Sequence, residues 1–403
     1  MARSRPQGEL SIADKVAIVG VGSTKFGENF DQSYDDLLVE SVYEAIEDAG
    51  MEPGDIQAAW LSTAFPDAGV YKGRSGMDLA EATALFDIPI TKVANYCAAG
   101  ADALRNAMTA VLSGMYDIAL AVGVEKLRDR PPRESVLGMN TDTGHPLFQK
   151  GFTPPGMFAM LATRHFHRFG TTKEDLALVS VKNHHHGTLN PKAQHGGDID
   201  VQTVLKSPPV AGPLGVLDCC PTTDGAAAVI LMRTDDARAR RRHYVTIKGQ
   251  GFVTSAGYDS PFYDPDYDLV GWPANRLAAE IAYQQAGIRD PLKELDVAEV
   301  HDCFTITEII TSEDLGFCQK GEGSKLVRDG VTALGGELPI NTSGGLLSCG
   351  HPIGASGLRM IYNLTKQLEG KAGKMQVEGA RLALAHNLGG PGAVVSVTIL
   401  GAP

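Results

Sequence analysis

The chain has 403 residues, 43% of them hydrophobic, and a formal charge of -12 at pH 7. This supplies apolar material for a large core in two or three domain-sized units. An acidic pI near 5.4 argues against a general affinity for nucleic acid. Six scattered cysteines with no CxxC spacing argue against a disulfide framework or zinc ribbon and fit reduced thiols in a cytosol.

The polar start MARSRPQGELSIADK lacks the apolar stretch of a secretory signal, and no apolar run reaches the length of a membrane span. Gly401-Ala402-Pro403 forms no peroxisomal address, so a cytoplasmic protein is expected. KVAIVGVGS (15–23) reads as a buried strand. In SYDDLLVESVYEAIEDAG, Leu37, Leu38, Ser41, Val42, Ala45, Ile46 and Ala49 recur at helical spacing, and Gly50 stops the helix. AAWLSTAF and KVANYC are further strands, the latter running into a helix, GADALRNAMTAVLSG, and DIALAVGVEKL is a fourth strand. This alternation predicts a largely parallel sheet covered by helices.

From Glu125 to about Pro209 the rhythm breaks into an expected loop-rich insertion with one helix candidate, GMFAMLATRHFHRFG. TTDGAAAVILM returns to a strand. The basic run from Arg238 to His243 reads as a solvated linker. The pattern then restarts. YVTIKGQGFVTSAG resembles the opening strand, PANRLAAEIAYQQAG is a helix, VAEVHDC ends a strand, ASGLRMIYNLTKQLEG is a helix, and ARLALAHNLGGPGAVVSVTIL is a strand pair. A Cys precedes a helix in the first half (NYCAAGADALRNAM) and a His precedes the matching helix in the second (SCGHPIGASGLRMI). One unit used twice would bring these two helix N-termini together across a pseudo-dyad.

Cys97, at a helix N-terminus, would lose its proton more easily there and serve as a nucleophile; the alternative is an inert buried thiol. His351 could take that proton, or merely cap a helix. His301, Asp302 and Cys303 follow a strand, where i and i+2 share a face. His301 and Cys303 would then face one cleft, His301 donating to an oxyanion and Cys303 acting as acid/base, while Asp302 braces the turn. A surface loop is the plain alternative. The Gly389 N–H could pair with that of Cys97 as an oxyanion hole, with His386 and Asn387 lining the pocket. His165, His167, His184, His185, His186 and His195 lack the spacing of a zinc site and are expected to be solvated or beside a phosphate-bearing ligand; no metal is expected. The Gly-rich starts lack a dinucleotide fingerprint.

With HDCF (301–304), GHPIGASG (350–357) and HNLGG (386–390) in hand, the chain resembles the thiolases nearly end to end. It is most similar to sterol-carrier-protein-2-type thiolases and archaeal acetoacetyl-CoA thiolases. Ordinary thiolases carry Asn-Glu-Ala-Phe where this chain has HDCF, and a C-x-G motif where it has Asn387-Leu388-Gly389. The resemblance implies an α/β thiolase fold: duplicated βαβαβαββ halves in an α-β-α-β-α layering, with an inserted loop domain. The expected boundaries are 1–125 and 208–240 for the first half, 126–207 for the insertion that carries CoA and the acyl chain, and 241–403 for the second half. It implies Cys97 as acylated nucleophile, His351 as its activator, Cys303 working at the α-carbon in place of the missing C-terminal Cys, and His301 in place of an oxyanion-holding Asn. Ala99 replaces a hydroxyl residue and would alter the acyl pocket. The implied activity is cleavage of a 3-oxoacyl-CoA by CoA, or the reverse Claisen condensation. No cofactor would be permanently bound; coenzyme A is the co-substrate. A homodimer or homotetramer and a small zinc-ribbon/OB-fold partner are implied, without membrane or nucleic acid and without a fused sterol-carrier domain. The competing readings are a retro-aldol lyase on a CoA thioester and a non-catalytic acyl-CoA-binding subunit. The segments FPDAGVYKGRSG and VTSAGYDSPFYDPDYDLVGWP either shape the acyl pocket, the second admitting an aromatic group as in benzoylsuccinyl-CoA, or form a surface or partner face.

Overall fold

The computed structural model describes residues 12–66, 69–70, 72–131, 134–135, 153–240, 244–256 and 266–403. Parts of both candidate pocket segments (67, 68, 71 and 257–265), the end of the basic run (241–243) and residues 136–152 of the insertion lie outside them.

The first half runs β1 (Val16–Ser23), α1 (Tyr34–Ala49), β2 (Ala58–Ser62), α2 (Met77–Thr83), β3 (Ile90–Val93), α3 (Ala99–Ser113) and β4 (Ile118–Glu125). The insertion follows, with α4 (Pro154–Phe169), α5 (Lys173–Leu189), α6 (Val201–Leu205) and a small hairpin, β5 (Pro209–Ala211) and β6 (Leu214–Gly215). Strand β7 (Gly225–Arg233) and α7 (Thr234–Arg240) close this half. The second half runs β8 (Val245–Thr254), α8 (Pro273–Ala286), α9 (Pro291–Glu294), β9 (Val297–Glu299), α10 (Thr305–Asp314), α11 (Gly323–Arg328), α12 (Gly345–Cys349), α13 (Ser356–Leu368), β10 (Leu382–Gly389) and β11 (Val394–Gly401).

Local chemistry sets these limits. Ser33 and Asp36 form a reciprocal capping box at the start of α1, and Gly50 ends it in the left-handed conformation at φ 63°. Thr172 and Asp175 cap α5 the same way. Strands β1, β4 and β11 are buried along their whole length, as strands covered on both faces must be.

The main sheet has nine strands in the order β3-β2-β4-β7-β1-β8-β11-β10-β9. It is mixed, which corrects the expected largely parallel sheet. β2 runs parallel to β3 and β4, and β9 to β10. β7, however, folds back antiparallel between β1 and β4, and β11 does the same between β8 and β10. β1 meets β8 antiparallel at Ala17–Thr246 and Ile18–Val245. Outward from that contact, β7, β4 and β2 on one side match β11, β10 and β9 on the other. A bridge from Ala298 to Ile340 occupies the place that β3 has in the first half.

Helix α1 covers one face of the first half-sheet, burying Leu37, Leu38, Val42 and Ile46 against Val19, Leu120 and Ile230. Each such large side chain stabilises by roughly 1.5–3 kcal/mol. Helix α8 packs on β8 and β11, and α3 and α13 lie together between the half-sheets. This is the five-layer arrangement, and it brings the N-termini of α3 and α13 into contact. An added Cβ at Gly100 would stand 2.9 Å from the Gly354 oxygen, and one at Gly357 2.6 Å from the Ala101 nitrogen, so only glycine permits this approach.

The insertion is more helical than expected. Helix α5 shows no apolar stripe because it buries Asn183, His184 and His186 as well as Leu176 and Val179. Asn183 donates to Asp302 (2.8 Å) and Glu308 (2.9 Å). The Asn183 amide nitrogen is thus satisfied by two carboxylates, while its Oδ1 is buried without a partner among the described residues.

Candidate active site

Four of the residues singled out by the sequence, Cys97, His301, Cys303 and His351, line one cavity of about 230 Å³. The Cys97 sulfur and a ring nitrogen from each of His301 and His351 lie within 4.8 Å of one another. Three separate helix-entry loops deliver them: two strand-to-helix junctions, β3 to α3 for Cys97 and β9 to α10 for His301 and Cys303, and the loop between α12 and α13 for His351.

Cys97 sits in the turn between β3 and α3. Ala98 and Ala99 donate to the Asn95 and Tyr96 carbonyls at 3.0 and 3.1 Å, which winds the turn tightly. Tyr96, just before the thiol, has φ 48°. That conformation costs a non-glycine residue on the order of 1–3 kcal/mol. The residue as a whole is half-buried, with its sulfur on the cavity wall. The expectation that it ionises easily is corrected: burial pushes it up to about 12, the Glu125 charge adds to that, and the N–H groups of Gly390 and Cys97 directed at the sulfur pull the other way.

The His351 imidazole is fixed on one side and open on the other. Its backbone N–H donates to Thr223 Oγ1 at 2.9 Å. Ser356 Oγ donates to the Pro352 carbonyl (3.1 Å) and therefore accepts from His351 Nδ1–H at 2.7 Å. That fixes the tautomer and leaves the lone pair on Nε2, which is buried without a partner among the described residues. Burial, helped by the Arg359 charge, pushes this imidazole down to about 3. The resting pair is thus a neutral thiol and a neutral base. Once the proton moves, the ions attract by about 4 kcal/mol at 4 Å in an effective dielectric near 20, and the two N–H groups hold the thiolate.

His301 and Cys303 do share the cavity face, and Asp302 points away. Asp302 accepts from Leu346 N–H (2.6 Å) and Asn183 Nδ2 (2.8 Å), tying the motif to α12 and α5. The Asn387 amide donates to His301 Nδ1 at 3.2 Å, so His301 carries its proton on Nε2 as a donor. Cys303 is buried, its thiol raised well above the usual range by burial, with Thr307 Oγ1 at 3.8 Å.

The glycine-turn residues take other places than expected. Gly390, not Gly389, borders the cavity and turns its N–H toward the thiol. Gly389 lies underneath: an added Cβ would meet the Asn95 oxygen at 2.8 Å and the Ala98 nitrogen at 3.2 Å. His386 and Asn387 do not line the pocket. His386 accepts from the His301 backbone N–H (3.4 Å) and holds Asn275 Oδ1 (3.1 Å), so both residues stand behind His301.

The histidine clusters divide evenly: His165, His184 and His186 are buried in the core, whereas His167, His185 and His195 are exposed as expected. His165 bonds Thr171 (2.9 Å) and Glu313 (3.1 Å), and His186 bonds the Asn341 carbonyl (3.0 Å) and the Leu334 N–H (3.1 Å). His185 is exposed and pairs with Asp198.

Sequence reasoning missed Ser356, Glu125 and Cys220. Ser356 lay within GHPIGASG, where a hydroxyl five residues beyond a candidate base was a usable signal. Cys220 also lines the cavity, and its N–H donates to the Cys303 carbonyl at 2.9 Å. Glu125 ends β4 and accepts from the N–H groups of Ala64 (3.1 Å), Phe65 (3.2 Å) and Gly354 (2.7 Å), joining the two halves beneath the His351 loop. Burial raises it to about 7 from 4.5. The folded state therefore holds this proton more tightly than the unfolded chain, and its contribution to stability is lost as pH rises through about 7. Glu125→Gln should flatten that part of the profile. Urea midpoints at pH 5.5 and 8 are expected to differ less in the variant than in the wild type.

Residues 16–235 match the family model for the thiolase N-terminal domain, and residues 262–402 the model described as thiolase C-terminal domain-like. Acetyl-CoA acetyltransferase of Methanothermobacter thermautotrophicus is 41% identical over 386 residues, 95% of this chain and 98% of that one. Sterol carrier protein 2 of Bos taurus is 36% identical over 95% of this chain and 72% of its own length. A solved structure titled Ltp2-ChsH2(DUF35) aldolase superposes with a TM-score of 0.81 at 28% identity, covering 98% of this chain and 99% of that one.

Proposed function

Because this chain belongs to the thiolase family, we propose that it transfers acyl groups between CoA thioesters through an acyl-enzyme on Cys97. The observation that carries this reading is the meeting of the Cys97 sulfur and the two imidazoles within 4.8 Å, with Cys303 on the same cavity. His351 Nε2 takes the Cys97 proton and the thiolate attacks the C3 ketone of a 3-oxoacyl-CoA. His301 Nε2–H and the N–H groups beside the sulfur are the donors available to the oxyanion. The C2–C3 bond then breaks, its electron pair leaves as the enolate of the shorter acyl-CoA, and Cys303 protonates the α-carbon. The CoA thiol attacks the acyl-enzyme and restores Cys97. In reverse, Cys303 removes the α-proton for a Claisen condensation.

In this reading CoA is a co-substrate, and no permanently bound cofactor or metal takes part. The segment 126–207 is the surface for CoA and the acyl chain. A homo-oligomer in the cytoplasm is part of the proposal; among the described residues no helix is long and apolar enough to cross a membrane. A small second polypeptide is also proposed, supported by the solved neighbour whose title joins it to a DUF35 chain.

That neighbour's title also favours a second reading, a retro-aldol lyase. Intact mass after incubation with 3-oxoacyl-CoAs of short, branched, steroid and aromatic types distinguishes them. The thiolase reading expects an adduct on Cys97 that free CoA discharges. Cleavage without any adduct, and without need for CoA, would support the lyase.

A further inference from the structure

We propose that Cys97, His301 and His351 also form a reversible inhibitory site for a borderline-soft divalent ion such as Zn²⁺. The donor set is one sulfur and two imidazole nitrogens, the ligands such an ion prefers, and all three lie within 4.8 Å of one another. Bonds of roughly 2.0–2.3 Å place tetrahedral donors about 3.4–3.8 Å apart, so closure by about 1 Å is enough. That shift is within the reach of side-chain rotation around an open cavity.

The independent observation is the set of buried polar atoms left without partners. His351 Nε2 has none among the described residues, and its lone pair faces the cavity. Its other nitrogen is bonded to Ser356 Oγ at 2.7 Å, the outer partner that fixes a ligating imidazole. Asn387 Oδ1 is likewise without a partner. Rotation of that amide would let Oδ1 accept from His301 Nδ1–H, moving the ring proton to Nδ1 and freeing His301 Nε2 as a ligand. The cavity leaves the fourth position to water.

Binding breaks the Cys97 S–H bond, passes its proton to solvent and forms the metal–sulfur bond; no oxidation state changes. The ion then holds the nucleophile, the base lone pair and the oxyanion donor together, so the metal-bound protein cannot be acylated. The ion is therefore an inhibitor and not a resident cofactor. Only the inhibition rests on the thiolase reading; the binding does not.

The test uses chelator-treated whole protein without CoA, titrated with Zn²⁺ against a chromophoric chelator. The expected result is one equivalent bound, about one proton released, iodoacetamide labelling of Cys97 slowed at least tenfold, and full recovery with EDTA. Protein already acylated on Cys97 should bind at least tenfold more weakly, a comparison that needs no variant. Cys97→Ala and His351→Ala should each weaken binding about 100-fold. Equal affinity in Cys97→Ala, binding that persists unchanged in the acylated protein, or no stoichiometric binding would overturn the site. Stoichiometric binding in a protein that never forms an acyl-enzyme would leave the site standing and remove the thiolase reading instead.

Discussion

His351→Ala is expected to slow acylation of Cys97 by about 10³-fold, the middle of the range for a positioned general base. The reason is the protonation state of the resting pair. The thiol is pushed up to about 12 and the imidazole down to about 3, so almost no thiolate exists until the proton is transferred during attack. Without Nε2, the other imidazole beside the sulfur among the described residues, His301, presents an N–H and not a lone pair. The protein should still fold. Nε2 has no partner to lose, and Ser356 Oγ keeps its bond to the Pro352 carbonyl at 3.1 Å. Single-turnover mass spectrometry reads the loss directly, and an unchanged thermal midpoint separates it from unfolding. The wild-type rate should show no acid limb near pH 6.5, because the base has been moved well below that value. Wild-type-like acylation in His351→Ala would remove it from the mechanism.

The strands and helices that could be placed from sequence share one property: their burial follows a single period. Helix α1 carries a clean apolar stripe ended by Gly50, and β1, β4 and β11 are apolar along their length. Helix α5 was not placed because Asn183, His184 and His186 are buried by hydrogen bonding, which leaves no apolar signature. The sheet's mixed sense was hidden for another reason. A strand's direction depends on where the chain re-enters the sheet, and the insertion before β7 carries no local signal for that. The site divides in the same way. Cys97, His301, Cys303 and His351 are reactive side chains in short loops that lead into helices and stand out in a sequence. Glu125 works through three backbone N–H groups, one of them more than two hundred positions away, and reads as an ordinary strand end. The shift from Gly389 to Gly390 has the same origin, since the hairpin between β10 and β11 sets which amide faces the sulfur.

Cys303→Ala should divide the reaction into its two steps. Acyl transfer between Cys97 and CoA needs a nucleophile, a base and oxyanion donors, all supplied by Cys97, His351, His301 and the N–H groups beside the sulfur. Breaking or making the C–C bond needs in addition a proton delivered to or taken from the α-carbon. Among the described residues three thiols line the cavity besides Cys97: Cys303, Cys220 and Cys219. Cys303 follows His301 on the same face of the motif, with Thr307 Oγ1 at 3.8 Å as a hydrogen-bond partner that orients the thiol. Burial raises its thiol well above the usual range, which suits a group that must be protonated when cleavage begins. The variant is therefore expected to be acylated by acyl-CoA at close to the wild-type rate, while C–C cleavage and condensation fall by at least 10²–10⁴-fold. The fold should tolerate the change, since the motif is held by Asp302 and by the Cys303 carbonyl, which accepts from Cys220 N–H at 2.9 Å irrespective of the side chain. Full turnover in Cys303→Ala would move the proton to Cys220, and Cys220→Ala would then have to show the same split.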